Sequence, residues 1–227
     1  MPTVIVAIYD AVGGPAVSRK AGDGYTAGPT DAGIYTVASC GQHRSTRMYR
    51  DWSNVPWGTP LRLEGGELQV QMQGKWQPLK ASSDVTKNEI EDYHKDLFGT
   101  KVVPSTWVFN DFGHATCYVF KDVNKNGVRD KSESIHAEFI HTTPPDEAAT
   151  ARKEPVLLTE SHGCVHVKPA DIDTMIAAGY LARGNAAVYH EYSAKAPTGS
   201  IERGRPPYAV HFYPGAQKMY VLGRKAK

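Results

Sequence analysis

The chain has 227 residues, a formal net charge of +2 and 41% hydrophobic residues. That length suits one large domain, or one domain with insertions, and it supplies enough apolar material for a real core. The near-balanced charge argues against nucleic acid and anionic membrane surfaces as partners, and no apolar run reaches transmembrane length.

Residues 3–9 are apolar and β-branched, so they read as a strand. Met1–Asp10 lacks a basic head and a long apolar stretch, and so does not read as a signal peptide. Ile34–Ala38 is a second strand, and the polar, basic run Gly41–Asn54 reads as an exposed loop or hairpin. Leu61–Leu63, Leu68–Met72 and Lys75–Leu79 read as successive strands around Gly65-Gly66 and Gln73-Gly74. Thr86 and Glu89 have capping-box spacing. Ile90, Tyr93 and Leu97 then recur at helical spacing, which predicts a helix over 87–98 closed by Gly99.

Thr106–Phe109 and Thr116–Phe120 read as two strands joined through Asn110–Gly113. Ser134–His141 alternates as a strand that ends on a histidine. Residues 144–158 read as a long charged connection, a rim or lid. A helix over 171–178, a strand over 186–192 and a hairpin of 209–213 with 218–222 complete the chain.

The densest chemistry lies in Thr159-Glu160-Ser161-His162-Gly163-Cys164-Val165-His166-Val167. A thiol is a useful nucleophile only as the thiolate, so it needs a base or a positive field nearby. Gly163 permits a tight turn that frees the N–H groups of Gly163 and Cys164 to face a developing oxyanion. The chain has three cysteines, which make no disulfide framework. Cys40 and Cys117 pair only if the fold brings them together.

The Ser161–Cys164 stretch resembles the Ser-His-Gly-Cys signature of the L,D-transpeptidase catalytic domain (YkuD-type). Phe139-Ile140-His141-Thr142-Thr143 is similar to the family's upstream histidine strand. Thr26–Val37 is similar to its Thr-Pro-x-Gly-x-Phe/Tyr segment. The resemblance covers about residues 3–40 and 105–192. It implies a mainly β fold with a few helices, a sandwich or barrel with its cleft at the Ser-His-Gly-Cys turn. Residues 1–227 would form one such domain, with an insertion at about 41–104.

The implied reaction is acyl transfer. Cys164 attacks the L,D peptide bond of a peptidoglycan stem peptide, and an amine or water resolves the thioester. In that reading His141 is the base, and Thr142 or its carbonyl orients it. His162 steadies the thiolate or touches substrate, and Ser161 fixes the turn. The family usually carries Arg or Asn two residues after the cysteine. Here His166 stands there, as a substrate contact that leaves carboxylate recognition open. Arg203 and Arg205 are substitutes for that charge or ordinary surface residues.

Carbapenem-type β-lactams are the implied inhibitors, and catalysis needs no cofactor. The substrate places the protein in the periplasm or outside the cell, by a leaderless route or after loss of a leader. A secreted antibacterial effector and an L,D-carboxypeptidase are alternatives within this reading.

Two further patterns suggest metal. Asp122, Asn124, Asn126, Val128 (through its carbonyl), Asp130 and Glu133 have the spacing of a structural calcium loop; a polar Asn-Gly hairpin is the plainer reading of the same stretch. His162, Cys164 and His166, at alternate positions of one strand, form a candidate zinc set. A non-catalytic cell-wall-binding module is the remaining class.

Overall fold

The computed structural model describes residues 2–22, 24–43, 54–109 and 112–226. The expected loop over 41–54 and the link at Asn110–Asp111 therefore fall largely outside the described residues. In chain order the elements are β1 (Thr3–Val12), β2 (Arg19–Lys20), β3 (Thr26–Ala27), β4 (Gly33–Gly41), β5 (Leu61–Glu64), β6 (Glu67–Met72), β7 (Lys75–Pro78), α1 (Lys87–Phe98), β8 (Thr116–Phe120), β9 (Ile140–His141), α2 (Pro144–Ala151), β10 (Val165–Val167), α3 (Pro169–Ala177), β11 (Ala186–Tyr189), β12 (Gly204–Tyr213) and β13 (Lys218–Lys225). The chain divides into two compact units. One holds residues 1–40, 116–141 and 157–227; the other holds 41–115 and 142–156.

The first unit is a closed barrel in the order β1-β10-β9-β8-β4-β11-β12-β13. β-branched and aromatic residues build it because their side chains pack well on a pleated surface. Val37, Val119, Ile140, Val165, Val167, Phe212 and Val221 are fully buried. A disulfide joins Cys40 at the end of β4 to Cys117 on β8, so the pairing left open by the sequence is made. The short strand β10 lies parallel to β9, with Val165 opposite Ile140 and His166 opposite His141.

The second unit has a three-stranded sheet, β5-β6-β7. Its core gathers Val55, Leu61, Val70, Leu79, Val85, Ile90, Trp107 and Phe109. Helix α1 begins at a capping box: the Thr86 side chain accepts from the Glu89 N–H, and Glu89 reaches back to the Thr86 N–H.

Three expectations need correction. Residues 106–109 are extended but form no strand beyond a single bridge, Pro60 to Thr106. Pro60 has no N–H with which to continue a ladder. Residues 134–139 are not a regular strand either. The Phe139 N–H points at the Cys164 sulfur at 3.4 Å, and the Ala137 carbonyl lies 3.8 Å from the same atom. The Cys164 sulfur thus takes up groups that a neighbouring strand would use. Residues 144–151, read as part of a lid, are helix α2. Thr143 caps it by accepting from the Asp146 N–H, and Pro144 begins it.

Candidate active site

The turn that carries Cys164 is held by its own serine. The buried Ser161 hydroxyl accepts from the Gly163 N–H at 2.9 Å and donates to the Cys164 carbonyl. Gly163 sits at φ +147°, in a region that disfavours side chains, and a Cβ there would lie 2.8 Å from Glu138 Oε1. Its N–H is committed to Ser161, which corrects the expectation that it faces an oxyanion.

Thr30, within the Thr26–Val37 segment, clamps the turn from the other side. Its hydroxyl donates to the Gly163 carbonyl at 2.7 Å and accepts from the Gly14 N–H at 3.1 Å. A Cβ on Gly14 would lie 1.8 Å from the Gly28 carbonyl, so the backbones meet too closely for any side chain there.

Cys164 is the one free cysteine, and it is half-buried. Burial, chiefly, pushes its thiol up to about 11; the Phe139 N–H works against that rise, and the charge of Glu138 adds to it. His141 is buried, and its ring meets that of His166 edge-on with centroids 4.8 Å apart. Cys164 sits on the bend that leads into β10, two residues before His166, with its sulfur against the backbone of Ala137 and Phe139.

His166 is buried, with Nδ1 2.9 Å from the Thr159 carbonyl. Burial holds its imidazole down to about 4, hence neutral near pH 7. His166, the expected substrate contact, thus sits in the packed sheet with a neutral ring. His162 is exposed and stands edge-on to Tyr25 at 6.2 Å. The Thr142 hydroxyl, in the second unit, lies 2.5 Å from Glu147 Oε1 and 3.4 Å from the Phe112 carbonyl.

Glu138, which the sequence did not mark, stands beside the turn. Its Oε2 accepts from the Asp31 N–H at 2.7 Å and lies 3.4 Å from His136 Nε2. Burial pushes its carboxyl up to about 7. His136 stacks on Tyr35 at 4.4 Å and is held down by burial. Among the described residues, three ligand-type groups come within 4.8 Å of one another only at Asp31, His136 and Glu138. The candidate zinc set of His162, Cys164 and His166 is thus not assembled.

In the 122–133 loop the donor chemistry suits calcium, but the oxygens are engaged within the loop. Asp122 accepts from the Asn126 and Gly127 N–H groups at 3.2 and 2.8 Å. Asn124 accepts from the Asn126 N–H at 3.0 Å, and Asn126 accepts from the Val128 N–H at 2.7 Å. The Asn124 amide nitrogen donates to Asp130 at 2.5 Å. Glu133 accepts from the Val123 and Asp130 N–H groups, each at 2.8 Å.

The family model YkuD, L,D-transpeptidase catalytic domain, matches residues 5–179. That span includes His141 and the whole Ser161–Cys164 turn. No curated protein and no solved structure matches the chain.

Proposed function

The chain belongs to the L,D-transpeptidase catalytic-domain family, whose members act on peptidoglycan, and from that premise we propose that Cys164 cuts the L,D peptide bond of a stem peptide. The thiol sulfur bonds to the carbonyl carbon while His141 takes the thiol proton and passes it to the departing D-amino acid nitrogen. The product is a thioester on Cys164. An amine resolves it to a new peptide bond, or water resolves it to a free acid, the carboxypeptidase outcome. The Cys164 N–H is the oxyanion donor in this scheme, since the Gly163 N–H serves Ser161.

The observation that carries this reading is a free thiol on the braced turn, directly ahead of the strand on which His166 pairs with His141. A carbapenem should add once per chain to the wild type and not at all to Cys164→Ala, as read by intact mass. An adduct that survives the substitution overturns the assignment. Incubation with purified muropeptides separates crosslinking from trimming by product mass, and a Cys164→Ala protein that keeps full function would favour a non-catalytic wall-binding module. The Cys40–Cys117 disulfide suits the oxidising compartment where such a substrate lies, so the site of action is periplasmic or secreted. Delivery as an antibacterial effector is one route to it.

A further inference from the structure

We propose that Glu138 receives the acceptor: its carboxylate draws a primary ammonium to the thioester on Cys164 and takes a proton from it, making it the nucleophile. This rests on the thioester chemistry proposed above.

Placement is the first ground. The backbone of Ala137 and Phe139, on either side of Glu138, touches the Cys164 sulfur. The Glu138 side chain lies against Gly163, where the missing Cβ leaves room for Oε1. The carboxyl therefore lies against the glycine that precedes Cys164, near enough for its charge to act on the thiol.

The second ground is uncompensated charge. Asp31 and Glu138 stand together, and among the described residues no lysine or arginine pairs with Glu138. His136 brings no positive charge at neutral pH, because burial favours its neutral form. A buried carboxyl with no cation on it tends to keep its proton, and an arriving cation favours its charged form. An ammonium fits better than a metal. Glu138 Oε2 is already held by the Asp31 N–H and His136, which leaves Oε1 toward the turn for a single N–H donor.

The third ground is Tyr189. Its hydroxyl is buried and has no hydrogen-bond partner among the described residues. Burial first, and then negative charge on Cys164, Glu138 or Tyr35, suppress its ionisation, so it stays a neutral hydroxyl in their company. An uncommitted buried hydroxyl at this point is one a ligand can satisfy.

The charges also alternate in a useful way. A Glu138 carboxylate disfavours a thiolate on Cys164, whereas a thioester sulfur carries no charge for it to oppose. An ammonium beside Glu138 favours its ionised form. It then takes one proton from the ammonium. The amine forms the C–N bond, the C–S bond breaks, and the second proton passes through His141 to the departing sulfur. Glu138 returns its proton to solvent. Water carries no charge, so this recruitment favours aminolysis over hydrolysis.

The test uses the full chain, a tetrapeptide muropeptide as donor, and a second muropeptide with a free side-chain amine as acceptor. Mass spectrometry reads the ratio of dimer to trimmed monomer from pH 5 to 9. The groups that face Glu138, namely Asp31, His136, Tyr35, Tyr189 and Cys164, are unaltered in its variants. In E138Q the ratio should fall by roughly 10²-fold, the low side of general-base effects, and its rise near pH 7 should vanish; E138D should keep that rise. An unchanged ratio in E138Q of matched melting midpoint overturns the inference and leaves the proposed function standing. So does a wild type whose ratio collapses with a chelator and returns with zinc, since the cluster is then a metal site. A wild type that never forms the thioester overturns both.

Discussion

A thiol pushed up to about 11 is protonated in the resting enzyme, so Cys164 gains its nucleophilicity only as its proton leaves. Alkylation by neutral iodoacetamide should therefore climb about tenfold per pH unit between 7 and 9, following the thiolate fraction; a rate already level across that range would mean a preformed ion pair. Turnover should fall by roughly 10²–10⁴-fold in His141→Ala, the usual weight of a general base. If His162→Ala is the crippling change instead, the two histidines exchange roles. His166 adds a stability effect. Its folded-state value of about 4 lies below the ordinary 6.5, so the unfolded chain binds the extra proton first. Stability should rise as pH climbs from about 4 to 6.5, by up to about 3 kcal/mol from this group, and stay level above. Urea unfolding of His166→Asn should show a shallower slope over that window; equal slopes would mean that burial does not hold the ring neutral. Of the candidate site, Cys164 and Ser161 stand out because reactive types crowd a short stretch, and His141 stands out through its likeness to the family's upstream histidine strand. Glu138 was not, because one glutamate in an alternating run looks like a solvated face until the turn folds against it.

The capping-box spacing of Thr86 and Glu89 marked α1 to the residue, since local hydrogen bonds decide where that helix starts. Helix α2 carried an equally local signal, a capping threonine, prolines and then Asp146-Glu147 in the first turn. The charge around it drew attention to a loop instead. The irregular stretch 134–139 carries no such signal, because two of its backbone groups face a sulfur 25 or more residues away. The 122–133 loop is open to a direct test. We propose that it binds calcium through Asp122, Asn124, Asn126, the Val128 carbonyl, Asp130 and Glu133. Binding only to the folded state would add about 2.7 kcal/mol at a hundredfold excess over Kd. Tm should rise with calcium in the wild type and stay put in the Asp122→Ala, Glu133→Ala double variant, while a chelator changes activity only modestly. Indifference of the wild type to calcium would leave the loop a hairpin turn held by its own side chains.

At the scale of the whole chain, the family match and the barrel agree on a mainly β catalytic domain. The closure of eight strands was not readable from the sequence, because β9 and β10 span only two and three residues. Such short strands exist through their partners and carry no periodic pattern of their own. The second unit draws on two separated stretches, 41–115 and 142–156, and sequence order alone does not reveal such a union. The Cys40–Cys117 bond spans a sequence separation of 77. A loop of that length is worth about 4 kcal/mol in restricting the unfolded chain, so a Cys40→Ser, Cys117→Ser protein should melt well below the wild type at equal pH.

The same bond has a practical side. With two of three cysteines tied to each other, every chain carries one free sulfhydryl, and in the proposed mechanism it is the nucleophile. A colorimetric thiol count on unreduced protein is therefore an active-site titration: one equivalent per chain reports a fully competent preparation, and any shortfall reports the fraction already oxidised or acylated.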